Sequence, residues 1–232
     1  MIYRKKIASI IFAFLISSFA HGQEENISFG AIVSPDIYNY KFNDNALYFV
    51  EHNYKVRHNY SVGLCLRYNL NAKFGIKSAL CYSTKGYIAN YYWMVMNPND
   101  PSVIEKSELK APCLDVPIMF LYNFLHRKII STYISAGAIT SFLLSDKEIT
   151  TMADGTVKKE KSGFLKGVYK QDATNILFAG EILFGASFNL TKSLFITIEP
   201  YFRYGINTIY SNALNAHPTS YGAVIGFNYR MK

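Results

Sequence analysis

Residues Pro112 to Phe124 read PCLDVPIMFLYNF, and alternate positions separate cleanly. Leu114, Val116, Ile118, Phe120, Tyr122 and Phe124 share one face, wholly apolar or aromatic. Cys113, Asp115, Pro117, Met119, Leu121 and Asn123 share the other, which carries a carboxylate. A period of two is the mark of a β-strand. The same alternation recurs in segments at about 26–38, 58–70, 73–86, 129–143, 175–190, 193–206 and 219–231, and none of them has helical periodicity. The joints are of two kinds, and they alternate strictly. Those at Asn71-Ala72, His126-Arg127 and Thr191-Lys192 are very short, whereas about 39–57, 87–111, 144–174 and 207–218 are long. Tight turns at one end and long loops at the other are the pattern of a transmembrane β-barrel. The predicted fold is therefore all-β: an eight-stranded antiparallel up-and-down transmembrane barrel over residues 23–232.

Charge gives a second test. When the oilier parity of each segment is set outward, Val62, Leu64, Leu66, Phe74, Leu80, Ile182, Phe184, Ile198, Phe202, Ile225 and Phe227 point out. Arg67, Lys77, Asp115, Glu181, Glu199, Arg203 and Arg230 then all point in. An Arg or Lys on the lipid face at mid-membrane costs about 2–4 kcal/mol, which explains the sorting. We expect a lumen charge network in which Asp115, Glu181 and Glu199 pair with Arg67, Lys77 and Arg203. The lumen of eight strands is narrow enough for side chains to fill, and Met119, Leu121, Tyr133, Leu177, Leu183, Phe195 and Tyr201 also point into it. A packed plug is expected, not an open pore. The inward Pro117 lacks a ladder donor, which predicts a bulge or local break there. Outward rings gather near the short turns (Tyr68, Phe74, Tyr122, Phe124, Phe188, Tyr229) and near the long loops (Tyr60, Tyr82, Phe142, Tyr204, Tyr221), as two interfacial belts would require.

The chain opens with Arg4, Lys5 and Lys6, an apolar run Ile7–Ala20, and Ala20-His21-Gly22. This is the layout of a cleaved signal peptide over residues 1–22. A membrane anchor is disfavoured, because the run falls short of the roughly 20 apolar residues a span needs. Without those three cations the net charge of +8 becomes +5, spread over the loops with no nucleic-acid footprint. Cys65, Cys81 and Cys113 all take inward parity. A disulfide between Cys65 and Cys81 is weighed against small buried apolar residues, and the second is favoured because their distances from the turn do not match. No spacing fits a zinc site.

The long loops offer two sites. Tyr87, Tyr91, Tyr92, Trp93, Met94, Val95 and Met96 form an apolar cluster, read with equal weight as an interaction patch or as a wall extension packing on itself. Asp44, Glu51, His52, His58, Asp100 and His217 could in principle assemble a loop-based enzyme, a protease or a lipid-modifying one. No spacing singles out a nucleophile with its base, so no enzyme, catalytic residue, cofactor or metal is expected. The basic stretch Lys158-Lys159-Glu160-Lys161, with Lys166 and Lys170, is nearly balanced by Asp146, Glu148, Asp154, Glu160 and Asp172 and reads as a solvated loop. A soluble, ligand-holding barrel would need the opposite facing.

Three stretches, LDVPIMFLYNF at 114–124, ISAGAITSFLL at 134–144 and the hairpin ILFAGEILFGASFNL through SLFITIEPYFRYGI, resemble the PorT-type outer-membrane β-barrel domain of Bacteroidetes. The resemblance spans nearly the whole mature chain. It implies an eight-stranded outer-membrane barrel, reached through the signal peptide and linked to surface or secretion functions. Outer-membrane lipid and an envelope protein held by the long loops are the expected partners of a monomeric barrel. The chain departs from the usual terminal aromatic by ending Tyr229-Arg230-Met231-Lys232.

Overall fold

The computed structural model describes residues 27–40, 50–55, 57–93, 103–145, 147–160, 175–207 and 217–231. Its strands run in the order β1 (Ile27–Tyr40), β2 (Val50–Lys55), β3 (Arg57–Asn69), β4 (Phe74–Lys85), β5 (Ile88–Trp93) and β6 (Ile104–His126). They continue with β7 (Ile130–Leu143), β8 (Lys147–Met152), β9 (Val157–Glu160), β10 (Ile176–Asn189), β11 (Leu194–Gly205) and β12 (Pro218–Arg230). Every pairing is antiparallel. β1 pairs β3, β3 pairs β4, β4 pairs β6 and β6 pairs β7. β7 pairs β10, β10 pairs β11, β11 pairs β12, and β12 returns to β1. These eight strands therefore form a closed ring with no free edge.

Alternation fixes the facing. Leu64 is 69% exposed and Phe120 64%, while their inward neighbours Cys65 and Met119 are buried. Water would not tolerate a continuous outer band of Leu, Ile and Phe, whereas lipid covers it at no cost. Rings meet across strands within the band at the short-turn end: Phe74 with Tyr122 at 5.4 Å and Phe29 with Tyr229 at 5.7 Å. The short turns are built by side-chain acceptors. Asn71 Oδ1 accepts from the Lys73 and Phe74 amides, and Thr191 Oγ1 accepts from the Ser193 and Leu194 amides. Each side chain thus supplies a local backbone turn.

Three joints expected to be loops contain strands. β6 does not begin at Pro112 but at Ile104, and it is 23 residues long. Its outer half leaves the ring and is flanked by β5 on one side and β8 on the other. β2 pairs β5 and β9 pairs β8, so a blade of order β2-β5-β6-β8-β9 stands beyond the ring. Gly86, at φ 142°, makes the bend between β4 and β5. A Cβ there would lie 2.0 Å from the Leu109 carbonyl oxygen, so only glycine permits so close an approach. Tyr87, Val103, Ile104, Leu109 and Met152 are buried in and beside the blade. Glu148, expected in solvent, is buried there and accepts 2.6 Å from Ser107 Oγ. The β8–β9 hairpin closes with Gly155 at φ 82°. The Thr156 amide donates to Asp154 and holds that carboxyl below its ordinary range.

Of the expected bulge or local break, the structure shows the break at Pro117. The ladder with β7 runs through it in register, and the shift in that pairing lies at Asn123/Leu125. On the β4 side, pairing lapses for two residues and resumes in the same register. The Pro117 carbonyl takes the Ser78 hydroxyl at 2.9 Å, so its missing N–H faces β4 as well. Pro35 and Pro200 behave alike, with lapses toward β12 and β10 respectively and no change of register. Each proline removes one side's donor, and the other side's ladder carries the strand through.

Candidate functional site

Inward parity brings the lumen side chains to one axis, and register decides which of them meet. In the middle layer Lys77 Nζ donates to Glu199 Oε2, and the Tyr133 hydroxyl donates to Glu199 Oε1. Glu199 is only 1% exposed, so both of its oxygens are satisfied by partners that arrive from other strands. Room for the Tyr133 ring comes from Gly185, its cross-strand partner. A Cβ on Gly185 would lie 2.2 Å from ring atoms.

Toward the long-loop end a chain of charges follows. Lys85 donates to Asp115 and, at 2.8 Å, to Ser141 Oγ. Arg203 lies 3.7 Å from Asp115 and 2.8 Å from Glu181, to which its Nε also donates. Beside it the Tyr201 hydroxyl and Ser34 Oγ donate to Asp36 Oδ1. The free space among Lys77, Asp115, Glu181, Glu199 and Arg203 is about 40 Å³, room for a few waters and not for a conduit.

Of the residues singled out by sequence, Lys77 with Glu199, and Arg203 with Glu181 and Asp115, are brought together. Among the described residues, Arg67 has no acid at ion-pair distance. Its Nη2 donates to Asn123 Oδ1 at 2.8 Å, its Nε donates to Asn69 Oδ1, and its guanidinium lies 4.6 Å over the Tyr133 ring. Lys85 and Asp36 were missed, although both lie on the inward parity of alternating segments. All three cysteines are buried and free. Cys65 faces Ala79 across the ladder and Cys81 faces Gly63, so the two thiols are never opposite each other.

Tyr91, Tyr92 and Trp93 lie in β5, opposite His52, Glu51 and Val50 of β2. Their side chains fall outside the described residues, as do Met94–Met96, Asp44 and Asp100. The remaining loop histidines are engaged separately. His58 sits opposite Ile37, while His217 Nδ1 lies 3.1 Å from the Gly205 carbonyl oxygen and its ring stacks on Tyr204. No hydrogen bond links His58 to His217 among the described residues.

A family model described as an outer membrane protein beta-barrel domain matches residues 19–230. No functionally curated protein matches the chain. Among solved structures it is similar to Ail, the attachment invasion locus protein of Yersinia pestis, at 13% identity over 89% of this chain and 99% of Ail, TM-score 0.43. It is similar to neisserial surface protein A at 12% identity over 90% of this chain and 100% of that one, TM-score 0.45. It is also similar to outer membrane protein W of Escherichia coli at 8% identity over 90% and 99%, TM-score 0.45.

Proposed function

The chain belongs to the outer membrane protein beta-barrel domain family, and from that premise we propose that it serves as a sealed anchor holding a β-blade outside the membrane for an envelope protein partner. One observation carries this reading. The ring is closed and filled by buried ion pairs, whereas β6 runs on beyond it with β5 and β8 on its flanks. A barrel built to conduct would leave its axis open, and one built only to fill the membrane would end its strands at the interface. Here ordered structure and buried apolar surface continue past it. The strand motifs that resemble the PorT-type barrels of Bacteroidetes favour surface or secretion work for such a partner. Residues 1–22 direct export and are then cleaved, and the barrel acts as a monomer. No reaction is assigned, since His58 and His217 are engaged separately among the described residues.

The apolar run Tyr91-Tyr92-Trp93 on β5 is the part of the blade assigned to the partner. The test is crosslinking and recovery from intact outer membrane with the native chain and with a Tyr92→Ser/Trp93→Ser chain. A defined partner captured by the first and lost by the second, with heat-modifiable migration unchanged, supports the reading. Equal capture by both chains overturns it.

A further inference from the structure

The short-turn end of the lumen holds a cavity of a different kind from the packed layers above it. Its volume is about 300 Å³, and its walls include Ser28, Arg67, Asn69, Asn123, Asn189 and Arg230. His126, whose Nδ1 lies 3.0 Å from Ser131 Oγ, also lines it. No Asp or Glu is among the lining residues. That sets this end apart. Lys77, Lys85, Arg203 and Arg57 each face a carboxylate within ion-pair distance. Among the described residues, Arg67 and Arg230 are held by neutral groups: asparagine and backbone oxygens and the faces of Tyr133 and Phe195.

Register places these two cations with some care. Ser28 is the cross-strand partner of Arg67 on one side and of Arg230 on the other. Two strand spacings, about 10 Å, therefore separate the arginine backbones, with a small hydroxyl residue between them. Both side chains line one cavity, where two like charges repel each other; among the described residues neither has a carboxylate at ion-pair distance, and Glu199 attracts Arg67 only from farther off. Arg230 also borders a neighbouring cleft with Arg127, Lys128 and Lys192, again without an acid among its lining residues. Every short turn carries a cation, Lys73 included, and none carries an acid. A field of one sign at a partly enclosed mouth concentrates anions.

We propose that this mouth is an oxyanion site, and that the two arginines and Ser28 hold a phosphate group between them. Paired guanidinium groups suit a tetrahedral oxyanion, and the surrounding amides add neutral donors. In outer-membrane barrels the short turns face the periplasm, so the group arrives either as free phosphate or as the headgroup of an inner-leaflet lipid. The proposal is independent of the blade and its partner.

The test uses the full mature chain, folded in a maltoside detergent that carries no phosphate. Calorimetry follows two titrants: inorganic phosphate and a short-chain phosphatidylglycerol. Variants are Arg230→Gln, Arg67→Gln and Ser28→Asp, the last placing a carboxylate between the arginines. Heat-modifiable migration reports folding. Arg230→Gln lies at a strand end and carries the test even where Arg67→Gln fails to fold. Loss of one charge-assisted contact weakens binding by about tenfold or more. Saturable phosphate binding that Arg230→Gln and Ser28→Asp both weaken supports the site with free phosphate as its source. The same dependence seen only with phosphatidylglycerol supports it with a lipid source. No binding of either titrant, or binding that the variants leave unchanged, overturns it.

Discussion

At the scale of single residues, Glu199 shows what the interior demands. It is almost fully buried, and its two oxygens accept from Lys77 and Tyr133. Removing one member of such a pair leaves an uncompensated charge in a poorly solvated place. Lys77→Met should therefore cost about 3–5 kcal/mol, while Lys77→Met/Glu199→Leu should recover most of it. Urea unfolding of the barrel in vesicles measures both; an equal loss in the double variant would show that the charges themselves are needed. Gly185→Ala tests the layer from another side. The new methyl must displace the Tyr133 ring, with an expected loss of about 1–3 kcal/mol. Tyr133→Ala in the same chain should shrink that loss in a double-mutant cycle. Sequence parity already told which of these side chains point inward, because facing depends on position along one strand. Which ones meet depends on register between strands, and that is why Arg67 was matched to an acid when it in fact meets Asn69, Asn123 and Tyr133. Lys85 was legible by the same parity, since it lies on the inward face of its alternating segment.

At the scale of elements, the ring strands were readable and the blade was not. The reason is the solvent on the outer face. From Leu114 to Phe124 the outward positions meet lipid, so they are oily and the alternation stands out. From Lys106 to Lys110 the outward positions Lys106, Glu108 and Lys110 meet water, and Glu108 binds Arg57 and Lys110 at 3.4 Å. The inward Ser107, Leu109 and Ala111 are as buried as the residues below them. The period is the same, but the apolar face that betrays a membrane strand is missing, and the stretch resembles a loop. Pro117 was read as the seat of a bulge or local break, and the break is what forms, since the loss of one donor on one side does not require an extra residue. Pro117→Val restores an N–H facing β4. Hydrogen exchange should slow at the β4 amides beside the lapse, near Ala79 and Leu80, and the register with β7 should stay as it is. Faster exchange there would mean that the proline ring itself braces the two strands.

At the scale of the molecule, two expectations separate a sealed anchor from a channel. Planar-bilayer recordings should show no stable, large conductance, because the middle layers leave only about 40 Å³ of free space. A reproducible open level would contradict the packed lumen. On the outside, Leu64→Arg near mid-band should cost about 2–4 kcal/mol in vesicles, by the same unfolding measurement. A cost near zero would place Leu64 at an interface and shift the assumed membrane level.

The length of β6 has a mechanical consequence. At about 3.3 Å per residue, 23 residues extend roughly 75 Å, and one continuous backbone carries both Ser107 of the blade and Asp115 of the lumen. A partner tugging on the blade pulls along this strand. Such a load shears the β4–β6 and β6–β7 ladders, in which many hydrogen bonds share the force at once, instead of peeling them apart one by one. On the proposed reading, the strand acts as a tendon rooted in the ion pairs of the barrel.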